Sequence, residues 1–263
     1  MQLHAIPIFS DNYVWVLIRG QDAVVVDPGD GAPVARYLQE NALNLQAILV
    51  THHHPDHIAG IPVLLGVWPV PVYGPADEAA QIKLLSHQLN DGDAIEVLGE
   101  CLQVVSLPGH TLGHIAYVQL APDTDEAPFV LCGDTLFSAG CGRLFEGTPA
   151  QMHASMQRLD ALPANSRMYC THEYTLSNLA FARAVEPDNR DIQDHICKVQ
   201  TLRADGIPSV PTTLALERRI NPFLRTREHA ARQAAETWAG SALNDEVMVF
   251  AALRKWKDGF RAP

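Results

Sequence analysis

Cysteine is scarce in this chain and does not pair up. Cys101, Cys132, Cys141, Cys170 and Cys197 are five in number and form no CxxC spacing, so reduced thiols in a cytoplasmic protein are the simplest reading. No apolar stretch reaches the ~18 residues that a spanning helix needs. The start, Met1-Gln2-Leu3-His4, lacks the basic and apolar regions of a secretory leader. Basic side chains are also few: 19 Lys and Arg face 30 Asp and Glu, for a formal charge of -11. That balance disfavours a general binder of nucleic acid or of anionic membranes, which would repel it, but it permits a local basic pocket. What is present suits a folded body. Hydrophobic residues make up 47% and charged residues 19% of 263, enough for one large domain or two unequal ones.

Short β-branched runs alternate with turns through the first half. Strands are expected at Leu3–Phe9, Tyr13–Ile18, Ala23–Val26, Ala47–Val50, Val70–Tyr73, Ala94–Val97, Leu102–Leu107, Ile115–Leu120 and Phe129–Cys132, with Met168–Cys170 closing the series. Asp11-Asn12 reads as a turn, and Pro33–Leu43 and Ile58–Leu65 have helical spacing. After about residue 172 the pattern changes to helices alone, at Leu176–Val185, Ile192–Arg203, Glu228–Trp238 and Asp245–Lys257. Strands mixed with helices, followed by helices, imply an α/β body with a helical appendage.

The chemistry concentrates in Thr51-His52-His53-His54-Pro55-Asp56-His57, placed directly after an apolar strand. Three imidazoles at His52, His54 and His57, with the Asp56 carboxylate, form a dense set of donors for a borderline metal such as zinc. An expression tag would sit at a terminus and would not follow a buried strand. Two dications need further ligands from other strand ends, and three residues stand where such ligands are needed. His110 follows Leu102–Leu107, Asp134 follows Phe129–Cys132 and His172 follows Met168–Cys170, each beside small or turn-forming neighbours. Cys132 and Cys170 lie two residues from Asp134 and His172, yet read as small buried hydrophobes.

HxHxDH followed by single His, Asp and His residues at strand ends resembles the metallo-β-lactamase superfamily. Ser10-Asp11-Asn12-Tyr13, Val26-Asp27-Pro28-Gly29, Pro108-Gly109-His110-Thr111, Cys132-Gly133-Asp134-Thr135-Leu136-Phe137, Thr171-His172-Glu173-Tyr174-Thr175 and Leu253-Arg254-Lys255-Trp256-Lys257-Asp258-Gly259-Phe260 extend the likeness, which is to glyoxalase II, the hydroxyacylglutathione hydrolases. The resemblance covers nearly the whole chain. It implies an α+β fold, a four-layer αββα sandwich over residues 1–172 with a helical substrate-binding domain over 173–263. It implies one metal on His52, His54 and His110, a second on Asp56, His57 and His172, and Asp134 bridging the two, with Asp56 and Asp134 counted as catalytic. The ions are expected to be zinc, with iron or manganese also suited. His53 and Pro55 occupy variable positions, Asp27 matches a family position near the site while serving equally as a strand-ending turn, and His114 is expected beside the site or in the core.

The implied reaction is hydrolysis of S-(2-hydroxyacyl)glutathione thioesters, S-D-lactoylglutathione going to D-lactate and glutathione, by a hydroxide held between the metals. This is the second step of methylglyoxal detoxification. A thiolate leaving group, with a pKa near ~8.5, needs little help from a general acid, and no Ser-His-Asp arrangement is visible. The resemblance places Arg143, Arg254 and Lys257 at the glycine end of glutathione, with Phe145 and Tyr174 lining the groove. Familiar eukaryotic members carry Lys and Tyr where this chain has Arg143 and Phe145, so one phenolic hydrogen bond is not available here. The enzyme is expected to be a cytoplasmic monomer. Competing readings are a persulfide dioxygenase with a single iron, a processing nuclease, which the charge opposes, and a non-catalytic metal-binding module.

Overall fold

The computed structural model describes residues 1–119 and 127–261. Two compact units emerge, Met1–Ser106 with Thr111–Gly133, and Leu107–His110 with Asp134–Pro263.

The first unit contains β1 (Gln2–Ile8), β2 (Asn12–Arg19), β3 (Asp22–Val26), α1 (Gly31–Glu40), β4 (Asn44–Leu49), α2 (Pro55–Ile58), α3 (Ile61–Leu65), β5 (Val72–Pro75), β6 (His87–Leu89), β7 (Ala94–Val97), β8 (Glu100–Ser106), β9 (Ile115–Gln119) and β10 (Phe129–Gly133). One sheet runs β1-β2-β3-β4-β5-β6, antiparallel as far as β3 and parallel from there to β6. The other strands run β10-β9-β8-β7, antiparallel throughout. Tyr13–Leu17 and Ala23–Val26 are buried continuously, which a sheet covered on both faces requires. On one face Val14, Val16, Val25 and Ile48 pack with Val34 and Leu38 of α1 and Ile61 and Leu64 of α3. Each such side chain contributes about 1.5–3 kcal/mol by leaving water. From the second sheet, Tyr117 donates its hydroxyl to the Val50 carbonyl at 2.9 Å. Parallel β3 and β4 end side by side, so the turn at Asp27 and the loop from Thr51 leave the sheet together; such carboxyl ends are where open α/β sheets gather their functional groups.

Two features depart from the sequence pattern, and a third expectation runs to the edge of the described residues. The helix expected over Ile58–Leu65 is broken into α2 and α3 at Ala59-Gly60. Gly60 donates its N–H to Pro28 O at 2.8 Å, and a Cβ there would stand 2.3 Å from Gly31 N, so the chain is pinned to the β3–α1 turn and cannot coil through. Asn12 is not a turn residue; it opens β2, opposite Ile8. The strand expected over Ile115–Leu120 is present to Gln119, and Leu120 lies outside the described residues.

The second unit contains β11 (Leu136–Phe137), β12 (Gly140–Cys141), α4 (Pro149–Asp160), β13 (Arg167–Cys170), α5 (Thr175–Val185), α6 (Arg190–Ala204), β14 (Thr212–Thr213), α7 (Leu214–Ile220), α8 (His229–Ala239) and α9 (Glu246–Gly259). The strand series does not close at Cys170, because β14 pairs with β13. Helix α4 begins with a full capping box between Thr148 and Gln151 and with Pro149 in its first turn. Its buried side includes His153 and Ser155, which blurs the apolar period. Leu179, Ala182, Ile192, Val199 and Ile220 form the core beneath α5, α6 and α7. Among the described residues no helix is long and apolar enough to cross a membrane.

Candidate metal centre

In the first unit the donors are arranged around Asp27. This residue is 1% exposed and has a left-handed φ of 52°, so its carboxylate turns back toward the end of β4. It accepts from Thr51 N at 2.8 Å and Thr51 Oγ1 at 2.7 Å, and its Oδ2 stands 3.2 Å from His57 Nδ1. The Thr51 hydroxyl proton is thereby committed to Asp27. Its oxygen is left to accept from His52 Nδ1 at 3.1 Å. His52 therefore carries its proton on Nδ1 and presents an Nε2 lone pair, and the Asp27 carboxylate facing His57 Nδ1 favours the same tautomer there, an orienting scheme common to metal-binding histidines. His52 Nε2 lies 3.0 Å from His54 Nδ1, and His57 Nε2 lies 3.6 Å from Asp56 Oδ2. Asp56 and His57 sit on α2, started by Pro55, and not on an irregular loop. Asn12 Nδ2 donates to Asp56 Oδ2 at 2.9 Å. Gly29 completes the arrangement, since a Cβ there would fall 1.8 Å from the Asp56 carbonyl oxygen. Buried His114 stacks on His52, ring centroids 4.8 Å apart, and His53 turns aside to Glu78 Oε2 at 2.9 Å.

The second unit supplies His110, Asp134 and His172. His110 Nδ1 donates to Arg143 O at 2.8 Å, which fixes its tautomer in the same sense. Asp134 Oδ1 accepts from Thr171 Oγ1 at 3.0 Å, while Oδ2 stands 3.4 Å from both His110 Nε2 and His172 Nε2. The His172 ring is held by Tyr174, stacked at 4.6 Å and 10°.

These separations fit a metal. A nitrogen and an oxygen 3.4 Å apart are beyond an ordinary hydrogen bond, but ligands about 2.1 Å from one tetrahedral ion stand about 3.4 Å from each other. Lone pairs oriented by an acceptor at the opposite nitrogen, with carboxylates among them, are the donor chemistry of a divalent cation. Among the described residues, the donors that could serve an ion are His52, His54, Asp56 and His57 in the first unit, and His110, Asp134 and His172 in the second. The thiols take no part. Cys132 and Cys170 are fully buried, and burial pushes Cys170 up to about 12.

A basic group lies on α9. Arg254 is 6% exposed, donates to Cys141 O at 2.9 Å and reaches Asp258 Oδ1 at 3.1 Å. Lys257 donates to Ser177 O at 2.9 Å, and burial, with the Arg254 charge beside it, pushes its ammonium down to about 8. Exposed Arg143 places Nε 3.6 Å from Asp258 Oδ1 and its guanidinium over the exposed Phe145 ring.

Comparison with known proteins gives the same answer along the chain. The profile described as metallo-beta-lactamase superfamily matches residues 8–172, and that described as hydroxyacylglutathione hydrolase C-terminus matches residues 173–260. A hydroxyacylglutathione hydrolase of Albidiferax ferrireducens is 51% identical over 260 residues, covering 99% of this chain and 100% of its own. The chain belongs to the hydroxyacylglutathione hydrolase family. Among solved structures, a B3 metallo-beta-lactamase named BLEG-1 superposes with a TM-score of 0.64 at 22% identity, over 85% of this chain and 99% of its own. A protein crystallised in a di-iron-bound form gives a TM-score of 0.60 at 25% identity, over 85% of this chain and all of its own. The fold is that of the superfamily, and family members are metal-dependent hydrolases, in keeping with the donor sets above.

Sequence reasoning left Asp27 open and read Asn12 as a turn, though both hold ligand-loop side chains. Their signal lay only in the motifs Val26-Asp27-Pro28-Gly29 and Ser10-Asp11-Asn12-Tyr13, because a residue's reach across 24 or 44 positions is invisible to local pattern. Asp258, which meets both Arg143 and Arg254, stood in the matching ending but was given no role.

Proposed function

We propose that the protein hydrolyses S-(2-hydroxyacyl)glutathione thioesters, S-D-lactoylglutathione foremost, with two divalent metal ions. The observation that carries this reading is the span of the likeness, which takes in both the ligand segments and the helical ending. The match over 173–260 favours the thioesterase over the single-iron alternative on the same fold. His52, His54 and His110 would hold one ion and Asp56, His57 and His172 the other, with Asp134 shared. Zinc suits these donors best, and iron and manganese suit them as well. Bound there, the ions would supply Lewis acidity, lowering the pKa of a water from about 15.7 toward neutrality.

The chain's own groups then have defined tasks. Asp27 and Thr51 orient the imidazoles of His57 and His52 in the first unit, and the Arg143 carbonyl orients that of His110 in the second. Asp134, flanked by two imidazoles, would accept the water's proton or hold it by hydrogen bonding. No acid is required for the leaving thiolate, whose pKa is near ~8.5. Residues 173–263 form the proposed substrate domain, with Arg254, Lys257 and Arg143 taking the glutathione carboxylate, and with Tyr174 and Phe145 lining the groove. Phe145 contributes apolar surface only. The five free thiols support a cytoplasmic setting, and a monomer is the proposed state.

The test is S-D-lactoylglutathione hydrolysis assayed beside metal analysis on one preparation. Turnover with about two ions per chain is expected. Metal-loaded protein that leaves this thioester intact while cleaving another superfamily substrate would overturn the assignment.

A further inference from the structure

Between Asp134 and Arg143 the chain makes a short hairpin, β11–β12, with Ser138 and Ala139 at its tip. Its two arms are in contact at the base. Gly142 N donates to Thr135 O at 3.1 Å, and a Cβ on Gly142 would fall 2.0 Å from Asp134 O. One arm thus begins at Asp134, and the other leads into the Arg143 carbonyl that fixes the His110 tautomer. Any movement of the hairpin moves both.

The tip is not held by apolar packing alone. Glu217 of α7 has no exposed surface, and its carboxylate accepts from Ser138 Oγ at 3.0 Å and Ala139 N at 2.8 Å. It accepts also from Thr212 Oγ1 at 2.7 Å and Asn221 Nδ2 at 3.0 Å. Asn221 Nδ2 reaches Phe137 O at 3.2 Å and Gly140 O at 2.9 Å, and Asn178 Nδ2 donates to Ser138 O at 3.1 Å. Ala139 itself is left-handed, φ 55°, a conformation that disfavours a residue with a Cβ by about 1–2 kcal/mol. Its N–H bonds directly to the carboxylate, so the strained turn is held open by Glu217. A buried carboxylate is expensive for a fold to keep unless it is hydrogen-bonded, and apolar residues could close a simple hairpin without one.

We propose that Glu217 is a positioning residue for the metal centre, acting through the β11–β12 hairpin to set Asp134 and the carbonyl that orients His110. This rests on the metal-hydrolase reading above and adds to it a residue outside every motif of the sequence. Glu217 touches no donor atom of the proposed ligands. Its effect is to fix the distance and angle at which Asp134 meets His110 and His172. Partners one layer out from a metal ligand typically change affinity or activity by 10–100-fold, and Glu217 stands one layer further, so the lower end applies.

Glu217→Ala, Glu217→Gln and Ser138→Ala in the full-length, metal-loaded protein decide the matter. Four readouts are taken: metal retained per chain after dialysis, the visible spectrum of the cobalt-substituted protein, kcat and KM for the thioester, and the thermal midpoint. Glu217→Ala should lose about tenfold in kcat and change the cobalt spectrum. Glu217→Gln keeps one acceptor oxygen for Ala139 N and should recover a large part of both. Ser138→Ala removes one of four bonds and should fall between Glu217→Gln and the unchanged protein. A folded Glu217→Ala with unchanged cobalt spectrum, metal content and kcat overturns the proposal, even if its thermal midpoint falls. If Glu217→Ala does not fold, an unchanged spectrum and kcat in Glu217→Gln overturns it instead. Failure of the parent protein to turn over the thioester would refute the substrate assignment, while spectrum and metal retention would still read the effect of Glu217.

Discussion

Asp27→Asn is the sharpest perturbation of the centre that leaves every proposed ligand in place. The carboxylate accepts two bonds, from Thr51 N at 2.8 Å and Thr51 Oγ1 at 2.7 Å, and its Oδ2 faces His57 Nδ1 at 3.2 Å. Asparagine can keep the first through its single oxygen. The new NH2 then faces two donors. Thr51 can rotate its hydroxyl, but it can no longer serve His52 in the same way. His57 can relieve the clash only by moving its proton to Nε2, the nitrogen that faces Asp56. Losing the acceptor of one buried donor costs about 1–3 kcal/mol, and loss of a ligand's orienting carboxylate typically weakens metal binding 10–100-fold, or about 1.4–2.7 kcal/mol. Competition with a chelator of known affinity should therefore show one ion released about one to two decades earlier than in the parent protein. Melting of the metal-free forms separates this from folding, and the two apoproteins should differ by less than the metal-bound pair. An Asp27→Asn protein that holds both ions with parental affinity would refute the role assigned to the Asp27–His57 pair.

Asp134→Ala should abolish turnover and lower metal content, and retained two-metal binding with activity would remove Asp134 from the centre. Gly29→Ala forces a Cβ to within 1.8 Å of the Asp56 backbone carbonyl, which cannot yield as a side-chain end could. A fall in melting temperature together with metal loss is expected, and a parental melt would contradict the packing. Arg254→Ala should raise KM with kcat nearly unchanged, the signature of lost uniform binding; a fall in kcat at constant KM would count against its place at the substrate carboxylate. Lys257 carries its charge below about pH 8 and loses it above. KM should therefore rise as pH passes upward through about 8, and Lys257→Ala should raise KM at pH 7 while flattening that rise. A parental KM constant from pH 7 to 9.5 would exclude Lys257 from binding.

The sheet strands of four residues or more, the four long C-terminal helices and the ligand candidates were legible because each has a local signature. A β-branched run ends in a turn, apolar residues recur at helical spacing, or a metal-competent residue directly follows a strand. Helix α4 was missed although Thr148, Pro149 and Gln151 announce it, since buried His153 and Ser155 interrupt the apolar stripe. Helix α7 was missed because its seven residues include Glu217, Arg218 and Arg219, and no periodicity reveals that Glu217 is buried. Breaking of the Ile58–Leu65 helix depends on Pro28 and Gly31, far upstream. What escaped the sequence was in each case a polar or steric contact between distant segments. Residues that hold the ligand segments, such as Asp27 and Asn12, belong to that class.

Asp258 gives the basic group on α9 a further property. Its carboxylate is one helical turn from Arg254 and also faces Arg143, so neither guanidinium waits as a bare cation. In the proposed substrate role, an arriving anion would gain no new ion pair where it replaced Asp258, and only the difference between the two pairs would appear as affinity. Such a site would favour exchange over capture. A product keeping the same carboxylate would depart through the reverse swap.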